Sequence, residues 1–170
     1  MKKHIFLTGD KGVGKSTLIR KFLEQERRSY EGFFTIRTDK VYGGRYSVHL
    51  IEAGVEDKPS EENLLFFCGS PNEVNKEERF NTLGCKALEN AAGAEPIVMD
   101  EIGLHEGEAA GFCSAVMKIL DGDIPVLGVL QKADSAFLKA AKNHPKVQTI
   151  EVTRENREDL FKELINIMPL

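Results

Sequence analysis

The chain has no tryptophan, only 3 cysteines and 8% aromatic residues in 170 positions. Cys68, Cys85 and Cys113 are far apart, odd in number, and form neither a C-x-x-C pair nor a zinc spacing. Neither a disulfide scaffold nor a cysteine metal site is expected; the thiols read as free thiols of a reducing compartment. Positive charge is not in excess: 23 Lys+Arg stand against 27 Asp+Glu, a formal net charge of −4. That argues against a dedicated nucleic-acid binder, which presents a basic face, but leaves room for a local phosphate site built on one or two cations. Long apolar runs are missing too. Lys2 and Lys3 precede only Ile5-Phe6-Leu7, too short for a signal-peptide core, and no uncharged stretch approaches the ~20 residues of a membrane helix. Repeats, low-complexity tracts and long linkers are absent. The expectation is one cytoplasmic, monomeric domain over residues 1–170, with no membrane or nucleic-acid partner.

What is present is a strong alternation. His4-Ile5-Phe6-Leu7-Thr8 reads as a strand buried on both faces. A glycine-rich loop follows, then Leu18, Ile19, Phe22 and Leu23 at helical spacing. Phe33-Phe34-Thr35-Ile36 and Tyr46-Ser47-Val48-His49-Leu50, with Gly43-Gly44 between them, predict an antiparallel hairpin. Residues 53–63 read as loop, Leu64–Phe67 as a further strand, and Pro71–Ala92 as a helix with a highly charged first half. Strands over 96–99, 124–130 and 146–152 then alternate with helical patterns ending at Met168. This predicts a three-layer α/β fold, with a mostly parallel sheet of five or six strands and the hairpin at one side.

The strongest motif is Gly9-Asp10-Lys11-Gly12-Val13-Gly14-Lys15-Ser16, followed by Thr17. It is G-x-x-x-x-G-K-S, the P-loop or Walker A sequence, between a predicted strand and a predicted helix. Glycines let the backbone close around phosphate oxygens with its N–H groups inward. The helix beginning near Lys15 aims its positive end at the same oxygens. Residues Gly9 to Thr17 are therefore candidate nucleotide-binding residues. Lys15 is placed on the β- and γ-phosphates and the Ser16 hydroxyl on Mg²⁺. Asp100 ends the apolar run Ile97-Val98-Met99, at the sheet edge where such folds bind ligands. It is the second candidate metal ligand; as an alternative it caps the next helix. Glu101, one residue further, is the candidate that polarises an attacking water, with a solvated strand-end acid as the alternative.

Phe6-Leu7-Thr8-Gly9, the P-loop, Met99-Asp100-Glu101-Ile102-Gly103 and Glu151-Val152-Thr153-Arg154-Glu155-Asn156-Arg157 together resemble the small P-loop nucleoside-triphosphatases related to human cancer-related nucleoside-triphosphatase, once catalogued as predicted nucleotide kinases. Gly32-Phe33-Phe34-Thr35 and Gly43-Gly44-Arg45 resemble that family's second-strand region. The resemblance implies a RecA-like P-loop core and Mg²⁺-dependent hydrolysis of nucleoside 5′-triphosphates with broad base specificity. Carried over, Lys15 and Ser16 take the phosphate and metal roles, and Asp100 and Glu101 the metal and water roles. Thr153, Arg154 and Asn156 fall at a late strand-to-helix turn where they border the base, Arg154 stacking on it or standing as a solvated arginine.

Two family positions differ. Leu104-His105-Glu106 stands where the family has lysine, Met and Glu, and Leu130-Gln131-Lys132 replaces a Thr-Ile/Val-His-Arg-like ending. Lys11, Lys132, Arg37 and Arg45 are the candidates to supply the missing transition-state cation. His105 reads as an acid/base or as a surface histidine. Three rivals stand beside hydrolysis. In a switch-type GTPase, Asp100-Glu101-Ile102-Gly103 would be D-x-x-G and Gln131-Lys132-Ala133-Asp134 the guanine motif. A nucleotide or small-molecule kinase would use the Arg37 and Arg45 hairpin as its acceptor side. An interaction module would use nucleotide structurally.

Overall fold

The computed structural model describes residues 2–27, 29–42, 44–70, 74–93 and 95–168. The apolar runs become strands and the 3.6-residue patterns become helices. In chain order these are β1 (His4–Thr8), α1 (Lys15–Glu26), β2 (Glu31–Tyr42), β3 (Arg45–Glu52), β4 (Leu64–Phe67), α2 (Lys76–Arg79), α3 (Cys85–Asn90), β5 (Ile97–Ile102), α4 (Ala110–Asp121), β6 (Val126–Leu130), α5 (Ala136–Lys142), β7 (Val147–Glu151) and α6 (Arg157–Ile167). They form one seven-stranded sheet in the order β4-β3-β2-β5-β6-β1-β7. The strands from β2 to β7 in that order run parallel, and β3 and β4 are added antiparallel at one edge. The hairpin expected at one side is thus continuous with the parallel sheet, and β4 raises the strand count to seven. Gly43, of the expected glycine pair, lies outside the described residues.

The sheet is covered on both faces. One apolar cluster joins Phe33, Phe80, Phe112, Val116 and Leu120 beneath α3, α4 and α5. The other joins Leu18, Ile19, Phe22, Leu160 and Leu164 of α1 and α6 to Ile5, Leu7, Val98 and Val129 of the sheet. At the centre, a side chain on Gly128 of β6 would stand 2.5 Å from the Phe6 ring. The bare backbone there is what admits the phenylalanine to a fully packed interior.

The helix expected over Pro71–Ala92 is shorter and broken. Pro71 lies outside the described residues. The helix starts at Lys76, with Asn75 accepting the Glu78 N–H through its side chain at 3.1 Å. The segment Phe80–Gly84 is a π-helical turn between α2 and α3, where the Phe112 ring lies against Gly84. The hairpin is held by a buried polar chain. Thr38 Oγ1 and Ser47 Oγ are 2.6 Å apart, and Ser47 Oγ lies 2.8 Å from His49 Nε2. His49 Nδ1 faces Asn63 Oδ1 at 2.9 Å and the Ser60 carbonyl at 3.1 Å. Two acceptors on Nδ1 require that nitrogen to carry the proton, so Ser47 donates to Nε2.

Candidate active site

The P-loop follows β1 and enters α1 through residues whose backbone only glycine tolerates. Gly9 has φ +140, and a Cβ there would lie 2.3 Å from the Val152 carbonyl. Gly14 has φ +99 and forms the N-cap of α1, with no side chain capping the first turn. The free N–H groups of that turn therefore point at the loop, as anion binding requires. Lys15 is buried, and its ammonium donates to the Gly9 and Asp10 carbonyls at 2.9 and 2.8 Å. The loop residues Gly9, Asp10, Lys11, Gly12, Gly14, Lys15, Ser16 and Thr17 line a cleft of about 590 Å³ together with Glu101, Gln131 and Lys132. Val13 is buried in the apolar layer under α1 and is not part of that lining.

β6 separates β1 from β5 in the sheet, yet the two halves of the site meet: Ser16 Oγ donates to Asp100 Oδ1 at 3.0 Å. Asp100 is 1% exposed, and its Oδ2 has no hydrogen-bond partner among the described residues. Burial pushes its carboxyl up to about 6, the Ser16 hydrogen bond opposing and the Glu101 charge adding. A dry carboxylate oxygen without a partner beside a serine hydroxyl fits a hard divalent cation. Among the described residues no group of three or more His, Cys, Asp or Glu gathers around any point. A cation at Ser16 and Asp100 would therefore complete its shell with phosphate oxygens and water.

Glu101 is half-buried and its backbone N–H donates to Thr35 Oγ1 at 3.0 Å. The segment after it is pinned by two more side chains: Glu106 accepts from the Gly103 N–H at 2.8 Å, and Gln131 Oε1 from the Leu104 N–H at 3.2 Å. The structure places Asp100 and Glu101 beside the P-loop, but inside β5, which continues to Ile102 instead of ending at Met99; Thr35, Gln131 and Glu106 stood in the sequence only within other motifs, not as residues holding this segment. Thr35 and Gln131 meet partners far away in the chain, which local sequence does not reveal, while Glu106 closes a local turn on Gly103 three residues before it.

Glu106 is buried, and burial pushes its carboxyl up to about 7, against its backbone hydrogen bonds. Between the ordinary carboxyl value of 4.5 and about 7, the folded chain then holds a proton that the unfolded chain has released. Stability from this group is full below the unfolded value and is lost as pH rises through about 7. The loss is on the order of 3 kcal/mol. Urea unfolding at about pH 4.5 and about pH 8 should show a fall larger by that amount in the parent than in Glu106→Gln, which keeps an acceptor for Gly103. Asp100 shifts in the same sense but is present in both proteins. Equal falls would mean that Glu106 does not titrate in this range.

The base-side candidates separate. Asn156 spends its side chain inside the β7–α6 turn, its Oδ1 accepting from Thr153 N–H at 2.8 Å and its Nδ2 donating to the Glu151 carbonyl at 2.8 Å. Its amide is committed to the turn, which departs from the expectation that it borders a base. Arg154 is exposed and has no hydrogen bond or ion pair among the described residues. Arg157, one helical turn on, was missed: its Nη1 lies 3.6 Å from where a Gly14 Cβ would stand.

Of the four candidate cations, Lys11 and Lys132 line the cleft. Lys132 is shared between Glu151 at 2.5 Å and Asp10 at 3.2 Å. Arg37 stacks on Tyr46 and Arg45 on Phe67, out on the hairpin. His105 packs on the Phe66 ring, and Lys76 approaches its Nδ1 at 3.4 Å. Burial, then Lys76, holds its pKa low. His105 is exposed and absent from the cleft lining, so it is a surface histidine resting on Phe66 of β4. Asp134, the base reader of the GTPase alternative, ion-pairs with Lys139 at 2.6 Å and lies outside the cleft.

A family model described as NTPase matches residues 4–165. The chain belongs to this NTPase family. It is 31% identical to the nucleoside-triphosphatase THEP1 of Thermotoga sp. (strain RQ2), over 96% of this chain and 94% of that one. It is also 31% identical to the human cancer-related nucleoside-triphosphatase, over 97% and 96% of the two chains. The solution structure of a human cancer-related nucleoside triphosphatase superposes with a TM-score of 0.67 at 26% identity, covering 98% of this chain and 97% of that one. The crystal structure of THEP1 from Aquifex aeolicus superposes at 0.73 and 23% identity, covering 98% and 99%, and shares the fold. Membership of the NTPase family makes the chain a nucleoside-triphosphatase, a hydrolase, and favours hydrolysis over the kinase and switch-GTPase readings. No helix among the described residues is long and apolar enough to cross a membrane.

Proposed function

We propose that this site hydrolyses nucleoside 5′-triphosphates to diphosphate and phosphate with Mg²⁺, and with broad base specificity. One observation supports it above the rest. Glu101 shares a cleft with the P-loop and Lys15, one residue beyond an Asp100 carboxylate whose unpaired oxygen suits a cation. The P-loop N–H groups, the N-terminus of α1 and Lys15 bind the phosphate chain. Glu101 takes a proton from water as its oxygen bonds to the γ-phosphorus, and the bond from that phosphorus to the β–γ bridging oxygen breaks. The diphosphate leaves with its new charge facing Lys15 and the loop. Ser16 and Asp100 would hold the Mg²⁺, which supplies charge neutralisation on the β- and γ-oxygens. Broad specificity is supported by the base side. Asn156 is spent in its turn and Asp134 is paired away, while Arg154 offers a flat cation that stacks on any base.

The test is phosphate release from ATP, GTP, CTP and UTP with Mg²⁺, with and without nucleoside or nucleotide acceptors. Acceptor-independent release from all four is the expected result. Release from GTP alone favours the GTPase reading, and phosphate appearing on an acceptor favours the kinase.

A further inference from the structure

Backbone pairing of β5 is interrupted where the chemistry is placed. Its ladder with β2 ends at Phe34↔Asp100, and its register with β6 shifts between Met99 and Ile102. The next step of the β2 register would set Thr35 beside Glu101. There the Thr35 hydroxyl, rather than a backbone carbonyl, receives the Glu101 N–H at 3.0 Å. Thr35 is itself fixed: its backbone pairs with Leu50 of β3, and it is half-buried. Its β-branched side chain has few rotamers to choose from in a strand. The peptide it holds is the one between Asp100 and Glu101. Asp100 is tied at its other end to Ser16 of the P-loop. The two side chains, one from each side, thus hold both acids in a single geometry.

We propose that Thr35 is a positioning residue for Glu101: by capturing this N–H it sets where the carboxylate stands in the cleft. The inference rests on Glu101 as the water-activating base. The other two captured donors, Gly103 and Leu104, lie beyond the acids; among the described residues it is Thr35 that takes the N–H of residue 101 itself. A small rotation of that peptide moves the carboxylate tip by about 1 Å, and a misplacement of that size costs up to about a hundredfold in rate. The P-loop contacts that carry most of the phosphate binding are unaffected, and Asp100 keeps its own tie to Ser16.

Thr35→Val keeps the branched shape and removes the acceptor. The expected result is a kcat lower by roughly tenfold or more with KM unchanged. Thr35→Ser, which restores the hydroxyl, should recover most of it. In a Glu101→Gln background Thr35→Val should cost nothing further, because the group it aims is already gone. Circular dichroism and thermal unfolding of each variant report on folding; should Thr35→Val fail to fold, Thr35→Ala takes its place in the same comparison. A kcat within twofold of the parent overturns the inference. So does a rise in KM with unchanged kcat, or an equal loss in the Glu101→Gln background. The two readings fail differently. If Glu101→Gln itself retains turnover, the base assignment falls. If Glu101→Gln is inactive and Thr35→Val is not impaired, only the positioning role falls.

Discussion

Glu101→Gln is expected to lower kcat by roughly two to four orders of magnitude while leaving nucleotide affinity unchanged. Glutamine fills the same space and can still hydrogen-bond a water, but it does not accept a proton at neutral pH. In the proposed reading the nucleotide's contacts come from the P-loop and Lys15 and not from this carboxylate, so binding energy is left intact. The loss corresponds to roughly 3–5 kcal/mol of transition-state stabilisation. Single-turnover hydrolysis and equilibrium binding of a non-hydrolysable triphosphate separate the two quantities. Retention of more than about a tenth of the parent rate would mean that water is activated elsewhere, since a positioned base contributes at least ~10²-fold.

Lys15→Ala is expected to weaken both quantities, each by about tenfold or more. This lysine is 8% exposed, and its ammonium spans the Gly9 and Asp10 carbonyls. It is therefore preorganised at the loop's mouth and needs little rearrangement to meet a phosphate. Its charge binds the ground state, and it counters the negative charge that grows on the leaving diphosphate. The binding part can be read without turnover. A nucleotide that binds only the folded state raises thermal stability by mass action. A diphosphate held near the parent's Kd should raise the parent's Tm and leave the variant's nearly unmoved. An undiminished thermal shift together with normal turnover would contradict the assignment of this loop.

These effects differ in how far the sequence foretold them. Lys15 and its glycines are contiguous, and their chemistry depends on local backbone shape: positive φ at Gly9 and Gly14 and an uncapped helix start at Lys15. A local pattern can encode all of that. Asp100 and Glu101 were legible because an apolar run followed by acids marks a buried strand reaching the carboxyl side of the sheet, although β5 continues past them to Ile102. The base-side residues were less so. Asn156 looked like a ligand in the sequence but works within its own turn. Arg157, not singled out, rests against the P-loop. Those two positions begin α6, and one residue of helical phase decides which side chain faces the loop. The helix expected from Pro71 was similarly misjudged: an Asn75 cap starts it late, and a π-turn facing Phe112 breaks it.

By itself the sequence determined the alternating α/β architecture and the glycine loop between β1 and α1, and it singled out the two acids. Each follows from interactions among near neighbours in the chain, or from burial on both faces of a strand. The tertiary structure alone decided the strand order. It placed β6 between β1 and β5, so that Ser16 reaches Asp100 from two strands away. It placed β2 on the far side of β5, so that Thr35 meets Glu101. It also brought Gln131 and Lys132 to the cleft at the end of β6. Strand order is set by how the two apolar layers pack on the sheet as a whole, and no stretch of local sequence carries that information.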